Sequence, residues 1–550
     1  MREFDRLTTE RCGIPSRLLM ESAANAAARA VGSLFSGSLA GLHALVLCGR
    51  GNNGGDGAAL ARALWAEGAA RVEVFLFSRV EETRGDASAN FEIVRQLASS
   101  SNEPDDSRRL SFVEGDEAGD CARRLDEQPR PQVIIDALFG TGLTRPLEGA
   151  LAQVVSKLSS LREERERRGE PHSLILSLDI PSGLNADLAD PIGDAVRADA
   201  TVTFTAPKPA NVLPPASHFN GQLSVAEIGT PAALVDESPS QLFLIEAADA
   251  RAWLERTRYT PDSFKNTHGH ALVIAGSRNL TGAAVLCSEA AMRSGAGLVT
   301  VATPASALAS VVARVMPEVM TAELAETAEG AASDASLARL TQLAARADVI
   351  AIGPGLTSDN AATRRLVCAI VEQRTLPVVL DADALNALAP WSKDLRGSQQ
   401  SPLILTPHVG EMRRLLGINA DDKDALRDRV RVAREFAVAH ELIVVFKGSR
   451  TITAAPDGRV FVNPTGNAGL GTAGAGDTLT GIIAGFIAQS RGALGTQADV
   501  LEAVLAAVYI GGLAGDLAAR ERGMRTMVAS DIREHLGAAV RALDPTGEQP

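Results

Sequence analysis

Asp477 closes a glycine-dense stretch, Gly466-Asn-Ala-Gly-Leu-Gly-Thr-Ala-Gly-Ala-Gly-Asp-Thr-Leu-Thr-Gly481, in which five glycines precede the acid and an apolar run, Leu479 to Ala488, follows. Glycine permits positive φ and close approach of backbone to ligand. A glycine loop opening into a helix therefore offers N–H groups and a positive dipole end to an anion. Asp477 falls in the expected first helical turn, where the dipole favours a carboxylate. A carboxylate beside a bound phosphate suggests proton abstraction. The competing reading is a mobile turn with an N-terminal helix acid, since glycine motifs match by chance.

Two further acids stand where a parallel sheet would expose them. The apolar runs 132–136 and 173–179 read as strands that end in Asp136 and Asp179, the first followed by Ala-Leu-Phe-Gly-Thr-Gly-Leu-Thr-Arg-Pro146 and the second by Ile-Pro-Ser-Gly-Leu184. Ligands of open parallel sheets lie outside the carboxyl ends of the strands, so both acids should face one crevice. A lone strand-end Asp more often caps a helix or braces a loop. The pair makes that account less economical. Upstream, 43–48 reads as a strand running through Gly49-Arg-Gly-Asn-Asn-Gly-Gly-Asp-Gly57 into a helix over 58–67, which is a phosphate-binding order. Its spacing is not the usual dinucleotide fingerprint, and glycines at such turns are often only steric.

The elements that must carry these residues exceed one core. At 550 residues two domains are the natural expectation, and 45% apolar with 22% charged residues indicates a folded globular chain. A formal charge of -13 speaks against general affinity for nucleic acid or acidic membranes. Five cysteines, at 12, 48, 121, 287 and 368, lie far apart without a Cys-x-x-Cys pair, and read as reduced thiols of a cytoplasmic protein. No apolar segment reads as a membrane span, and no secretory leader is evident. Residues 1–35 read as helical, 71–77 as a strand, 81–130 as helical stretches and polar loops, and 154–169 as a charged, solvated helix. Pro231, Asp236-Glu-Ser-Pro-Ser240 and the lack of periodicity mark 231–249 as a connection. Beyond it, strands are expected at 270–275, 348–352, 376–380, 403–406 and 442–446, and a terminal helix with a frayed tail over 520–550.

Gly471-Thr-Ala-Gly-Ala-Gly-Asp-Thr-Leu-Thr-Gly481 resembles the signature of ribokinase-like proteins, and Thr406-Pro-His-Val-Gly-Glu411 and Phe446-Lys-Gly-Ser-Arg-Thr451 are similar to its ADP-dependent NAD(P)H-hydrate dehydratase branch. Asn52-Asn-Gly-Gly-Asp-Gly57 resembles the NAD(P)H-hydrate epimerase signature. The chain departs from these patterns at Glu21-Ser-Ala-Ala24, where the family has Glu-Asn-Ala-Gly, and at Phe264-Lys-Asn266, where it has His-Lys-Gly. The resemblance implies an α/β chain with an N-terminal Rossmann-like three-layer domain at 1–230 and a C-terminal ribokinase-like domain at 250–540.

By the same resemblance, Asn52, Asn53, Gly54, Gly55 and Asp56 contact the hydrated cofactor. Gly140, Thr141, Gly142, Leu143, Thr144, Arg145 and Pro146 wrap it, and Asp179 holds it. Asn53, Asp136 and Ser182 bind potassium, with Asp136 also chosen for acid–base work. Lys208 fits the family but reads more simply as a surface lysine. In the second domain Ala283, Gly355 and His408 become substrate contacts, although a lone histidine is commonly structural. Lys447, Gly448, Ser449, Arg450 and Thr451 join Asn467, Ala468, Gly469, Leu470, Gly471, Thr472, Ala473, Gly474, Ala475 and Gly476 in an adenine-nucleotide site. Asp477 activates the substrate hydroxyl there, and magnesium accompanies ADP.

The implied activity is repair of NADH or NADPH hydrated at C6 of the nicotinamide ring. R and S hydrates are interconverted, and the S form is dehydrated by ADP-dependent phosphorylation and loss of phosphate, with AMP as coproduct. The expected partners are small molecules, NADHX or NADPHX and ADP, with no nucleic acid or membrane, and a homo-oligomer is expected. The alternative is a ribokinase-like vitamin kinase with a non-catalytic N-terminal binding module.

Overall fold

Strands apolar on both faces demand a covered sheet, and the N-terminal part of the chain builds one. In the computed structural model, which describes residues 1–100, 109–115, 121, 125, 130–168, 173–419, 421–422 and 424–544, the chain divides into two units, Met1–Pro239 and Ser240–Pro550. Parts of the helical and polar stretch expected over 81–130, residue 169 of the charged helix and the tail at 545–550 lie outside the described residues.

The first unit holds seven parallel strands: β1 (His43–Cys48), β2 (Arg71–Leu76), β3 (Arg109–Glu114), β4 (Val133–Ala137), β5 (Leu174–Leu178), β6 (Ala200–Phe204) and β7 (Gln222–Ala226). Their order is β3-β2-β1-β4-β5-β6-β7, with Leu47 opposite Asp136 and Asp136 opposite Ser177. The two-residue pleat divides β1 between two cores. Ala44, Val46 and Cys48 pack with the helices Ser16–Leu34 and Asn52–Ala66, while Leu45 and Leu47 pack with Ile134, Val154 and Leu158 on the other face. Each large aliphatic side chain buried in this way contributes about 1.5–3 kcal/mol.

Besides β3, a strand inside the stretch 81–130 read as helical stretches and polar loops, two boundaries differ from expectation. The helix after β1 begins at Asn52, not at Ala58. Its glycines are there for contact: a Cβ on Gly54 would fall on the Gly49 carbonyl oxygen, and one on Gly57 would lie 2.6 Å from the Ala137 Cβ. Low helix propensity is overridden because only glycine lets the first turns sit this close to the sheet. The second difference is the connection at 231–249, which carries the short helix Ala232–Asp236 and then β8 (Leu242–Leu244), a strand of the second unit.

That second unit holds ten strands. After β8 come β9 (His270–Ile274), β10 (Leu298–Pro304), β11 (Met320–Leu324), β12 (Val349–Ile352), β13 (Val378–Leu380), β14 (Leu403–Leu405), β15 (Ile443–Phe446), β16 (Ile452–Ala454) and β17 (Val460–Val462). The order is β11-β10-β9-β12-β13-β14-β15-β16-β17-β8; β9 to β15 pair in parallel, and β16 pairs antiparallel with both β15 and β17.

Helix Ala475–Leu494 runs through this unit's core. Gly481 and Gly485 let it lie against helix Thr281–Arg293, since a Cβ on Gly481 would strike the Cys287 carbonyl oxygen. Trp253 stacks on Phe486 at 4.2 Å between ring centroids and donates its indole N–H to Ser490 Oγ at 2.8 Å, so its polar atom is satisfied inside the core. The next helix, Val500–Arg522, is long and apolar enough to cross a membrane, which the sequence reading did not anticipate. It is a core helix: its apolar residues, including Leu501, Val504, Ala507 and Ile510, are buried against the rest of the unit.

Candidate active sites

Strand order in the first unit reverses between β1 and β4, and a cavity of about 1010 Å³ opens at the carboxyl ends of those strands. Asn52, Asn53, Asp56, Gly140, Thr141, Gly142, Leu143, Arg145, Pro146 and Asp179 line it, so most of the residues singled out in sequence converge there. Gly54 and Gly55 do not line it and serve packing, and Thr144 is exposed and off its wall.

Asp136 and Ser182 sit behind the wall. The Asp136 carboxylate is fully buried and accepts from Ser177 Oγ at 2.7 Å, Ser182 N at 2.9 Å and Ser182 Oγ at 2.6 Å. Burial pushes its pKa up and the serine donors oppose the shift. With both oxygens occupied and no face on the cavity, Asp136 is placed to hold neighbouring groups.

Asp179 is on the wall, in left-handed backbone at φ 65, a conformation that costs a non-glycine residue about 1–3 kcal/mol. It is held there by its N–H, which donates to the Val202 carbonyl at 2.7 Å, and by its side chain. Lys208 Nζ donates to Asp179 Oδ1 at 2.5 Å, to Thr203 Oγ1 at 2.8 Å and to the Phe204 carbonyl at 3.0 Å. The surface reading of Lys208 is therefore wrong: it is 5% exposed and lines the cavity. The sequence signal is Thr205-Ala-Pro-Lys-Pro209, which directly follows the end of β6. Asp5, near the start of helix Arg2–Cys12, and Arg50 also line the cavity and went unnoticed in sequence.

In the second unit, Asp381, Thr406 and Lys447 follow the ends of β13, β14 and β15 and meet at the start of helix Ala475–Leu494. Lys447 Nζ donates to Asp381 Oδ1 at 2.7 Å and lies 3.8 Å from Glu411 Oε2; Thr406 Oγ1 and Thr480 Oγ1 each donate to Asp381 at 2.8 Å. Burial alone would raise the Asp381 carboxyl, but Lys447 and the two hydroxyls hold it below its ordinary value. Burial pulls Lys447 down, and Asp381, Glu411 and Asp477 together hold it up.

Asp477 stands in the first helical turn behind Gly474, which takes φ 82. Its pKa is pushed up to about 6, by burial first and then by Asp381, with Lys447 opposing and Asp383 and Glu411 adding to the rise. A Cβ on Gly476 would lie 3.3 Å from Lys447 Nζ, so the glycine loop passes directly over the lysine. Asp381 directly follows the strand expected at 376–380 and so obeys the strand-end rule applied to Asp136 and Asp179. Glu411 and Thr480 lie within the motifs quoted above, but their contacts with Lys447 and Asp381 join residues 36 and 99 positions apart and leave no local signal.

The remaining expected residues divide between open and occupied. Gly355 faces Ala283, a Cβ on the glycine lying 3.0 Å from that of the alanine. The exposed His408 ring caps helix Val409–Leu415: Nδ1 accepts from Gly410 N at 2.9 Å, and Glu411 Oε2 returns a bond from His408 N at 2.7 Å. Arg429 braces the turn after β15 by donating to the carbonyls of Phe446, Lys447 and Ser449. The Arg450 guanidinium donates to the Pro464 carbonyl. Asn467 spends its amide on Gly515 O at 3.0 Å, Asp516 Oδ1 at 2.9 Å and Gly469 N at 2.9 Å, and Leu470 packs on Gly515. Ala468, Gly471 and Ala473 are exposed along the same loop, while Thr472, Ala475 and Gly476 are half-buried.

Comparison with known proteins matches both units. Residues 16–210 match the family described as YjeF-related protein N-terminus, and 271–537 the family described as NAD(P)H-hydrate dehydratase. The bifunctional NAD(P)H-hydrate repair enzyme of Moorella thermoacetica is 39% identical over 547 residues, covering 99% of this chain and 96% of the relative. That of Thermofilum pendens is 37% identical over 540 residues, covering 98% and 95%. Among solved structures, an ADP/ATP-dependent NAD(P)H-hydrate dehydratase from Bacillus subtilis, co-crystallised with ATP and Mg2+, is 30% identical and covers 55% of this chain and 99% of that one, at a TM-score of 0.45. Identity at this level along nearly the whole of both partners sets the vitamin-kinase alternative aside and makes the chain a member of the bifunctional NAD(P)H-hydrate repair enzymes, which epimerise the hydrated cofactor and dehydrate it with ADP or ATP.

Proposed function

We propose that the cavity of the first unit interconverts the R and S hydrates at C6, and that the Asp477 site of the second dehydrates the S form, yielding AMP and phosphate from ADP. The observation that carries this reading is the cluster at the start of helix Ala475–Leu494, where a carboxyl pushed up to about 6 adjoins a half-buried lysine and a glycine loop. A general base working near neutral pH needs such a pKa. Asp477 takes the proton of the substrate hydroxyl as it attacks the phosphoryl donor, while the N–H groups of the loop and the Lys447 ammonium stabilise charge on the transferred group. Ala283, Gly355 and His408 contact the hydrate, and the segments 447–451 and 467–476 hold the nucleotide. Magnesium arrives with the nucleotide, held chiefly by its phosphates.

In the first unit, Asn52, Asn53, Asp56, Gly140 to Leu143, Arg145, Pro146 and Asp179 hold the hydrate. Potassium fits behind them: Asn53 has both amide atoms buried without a partner, and Asp136 and Ser182 supply hard oxygen donors. When bound, the cation supplies fixed positive charge that orders the loops. An epimerase domain within Met1–Pro239 and a dehydratase domain within Ser240–Pro550, in place of the limits 1–230 and 250–540, together with a homo-oligomer and a cytoplasmic location, complete the reading; Cys48 and Cys287, buried thiols pushed up by loss of water, suit a reducing compartment.

The test mixes the purified protein with R and S hydrates separately, with and without ADP, and follows recovery of reduced-nicotinamide absorbance, with potassium and magnesium withheld in turn. S hydrate should be restored only with ADP, and R hydrate only after inversion that needs no ADP. Absence of conversion of either hydrate rejects the reading. Asp136→Asn should abolish inversion and spare dehydration of pure S hydrate.

A further inference from the structure

Two of the carboxylates that line the first cavity, Asp56 and Asp179, have surroundings that suit more than the holding role given above. Asp56, in the second turn of helix Asn52–Ala66, lines the cavity and has no hydrogen-bond or ion-pair partner among the described residues. Asp179 lines the same cavity and is firmly paired, through Lys208 at 2.5 Å and Thr203 Oγ1 at 3.1 Å. Lys208 cannot serve both acids. Its ammonium is pinned on three sides, by Asp179, Thr203 and the Phe204 carbonyl, in a site that leaves it 5% exposed. Asp136, the other strand-end acid, has its oxygens taken by Ser177 and Ser182.

We propose that Asp56 is the general acid of epimerisation and that Asp179, fixed by Lys208, is the general base. This rests on the reading that the C6 hydrate occupies the first cavity. The hydrate carries its hydroxyl on a carbon bonded to N1, so the C–O bond can break with help from the nitrogen lone pair. Asp56 gives its proton to the C6 hydroxyl oxygen, the C6–O bond breaks, water leaves, and the N1 lone pair forms the N1=C6 bond of an iminium. A water on the opposite face then gives its proton to Asp179 as its oxygen bonds C6, and the π pair returns to N1. The product is inverted at C6, Asp56 is left ionised and Asp179 protonated, and one proton passed through solvent restores both. Nothing is oxidised or reduced.

The electrostatics agree with this division. Burial, then the charges of Asp179 and Asp5, hold the Asp56 carboxyl well above the usual carboxylate range, against the pull of Lys208. Two carboxyl groups in one site with opposed surroundings, one paired with a cation and one withdrawn from water, is how acid and base are separated elsewhere.

The experiment uses the full chain and pure R hydrate. Wild-type protein in 18O-labelled water should place one solvent oxygen at C6 per inversion. Asp56→Asn should lower kcat for inversion by roughly 10²- to 10⁴-fold, well beyond any change in KM from its contact with the hydrate. Inversion by the wild type without uptake of label overturns the proposal, because the C6–O bond then stays intact and needs no acid. An unchanged kcat in Asp56→Asn, or a raised KM alone, overturns it too. The labelling result needs no variant, so it stands even where Asp56→Asn fails to fold. A wild type that inverts neither hydrate instead removes the reading of the cavity itself.

Discussion

Asp477 illustrates how a site can be tuned by one cation and several acids. Because its pKa is raised to about 6, dehydration should rise about tenfold per pH unit below that value and level off above it. Lys447 is the group that opposes the rise, so Lys447→Met should move the inflection to higher pH, and a pH profile of single-turnover dehydration checks it. Asp477→Asn should cost roughly 10²- to 10⁴-fold in dehydration and leave a calorimetric ADP titration largely intact. The same substitution should stabilise the fold. An acid whose folded pKa exceeds its unfolded value contributes stability below about pH 4, and this is lost as pH rises through about 6. Asn removes that penalty, so its melting temperature should exceed the wild type's at pH 7.5 and converge with it near pH 4. Equal melting temperatures at both pH values would show that ionising Asp477 carries no cost in the folded state. At this scale the sequence was informative about Asp477 and Asp179, whose chain positions alone imply a strand end or helix start. It was misleading about Lys208, whose burial depends on β6 and on a contact 29 residues upstream.

Elements were legible where apolar runs met glycine or a carboxylate, as in β1, β4, β5 and β15, and illegible where packing overrode propensity. Helix Asn52–Ala66 is the clearest case: Asn-Asn-Gly-Gly-Asp-Gly reads as a loop by every local preference, and becomes helix because its glycines admit β1, Ala87 and Ala137 at contact distance. Short edge strands such as β8, three residues long, carry too little pattern to be read at all. Gly54→Ala should therefore destabilise the first unit by at least the about 1–3 kcal/mol typical of overpacking, since the obstacle is a backbone oxygen that cannot rotate away. Loss of inversion with dehydration retained, alongside a lowered first thermal transition, is the expected outcome. An unchanged melt would show that the loop at Gly49 yields.

Each unit has its own sheet, cores and candidate site, so chains cut between Pro239 and Ser240 should give two folded fragments, the first inverting hydrate without ADP and the second dehydrating the S form. A cut after residue 249 should be worse for the second fragment. It removes β8, whose Leu242, Phe243 and Leu244 pair in parallel with β17 and whose Phe243 stacks on Phe461 at 5.3 Å, so urea unfolding should show a lower midpoint than for the 240–550 fragment. Equal midpoints would make β8 an ornament of the sheet edge. The helix Val500–Arg522 gives the whole chain an order in time. Its buried residues belong to the central core of the second unit, yet it lies close to the carboxyl end. At about 5–20 residues per second on the ribosome, roughly fifteen to sixty seconds separate the emergence of residue 240 from that of this helix. During that interval the first unit can already be complete while the second exposes the strands of its sheet and the helix Thr281–Arg293 without the core helices that cover them. The newborn chain is thus half enzyme and half client of the cell's holding chaperones until its last large helix arrives.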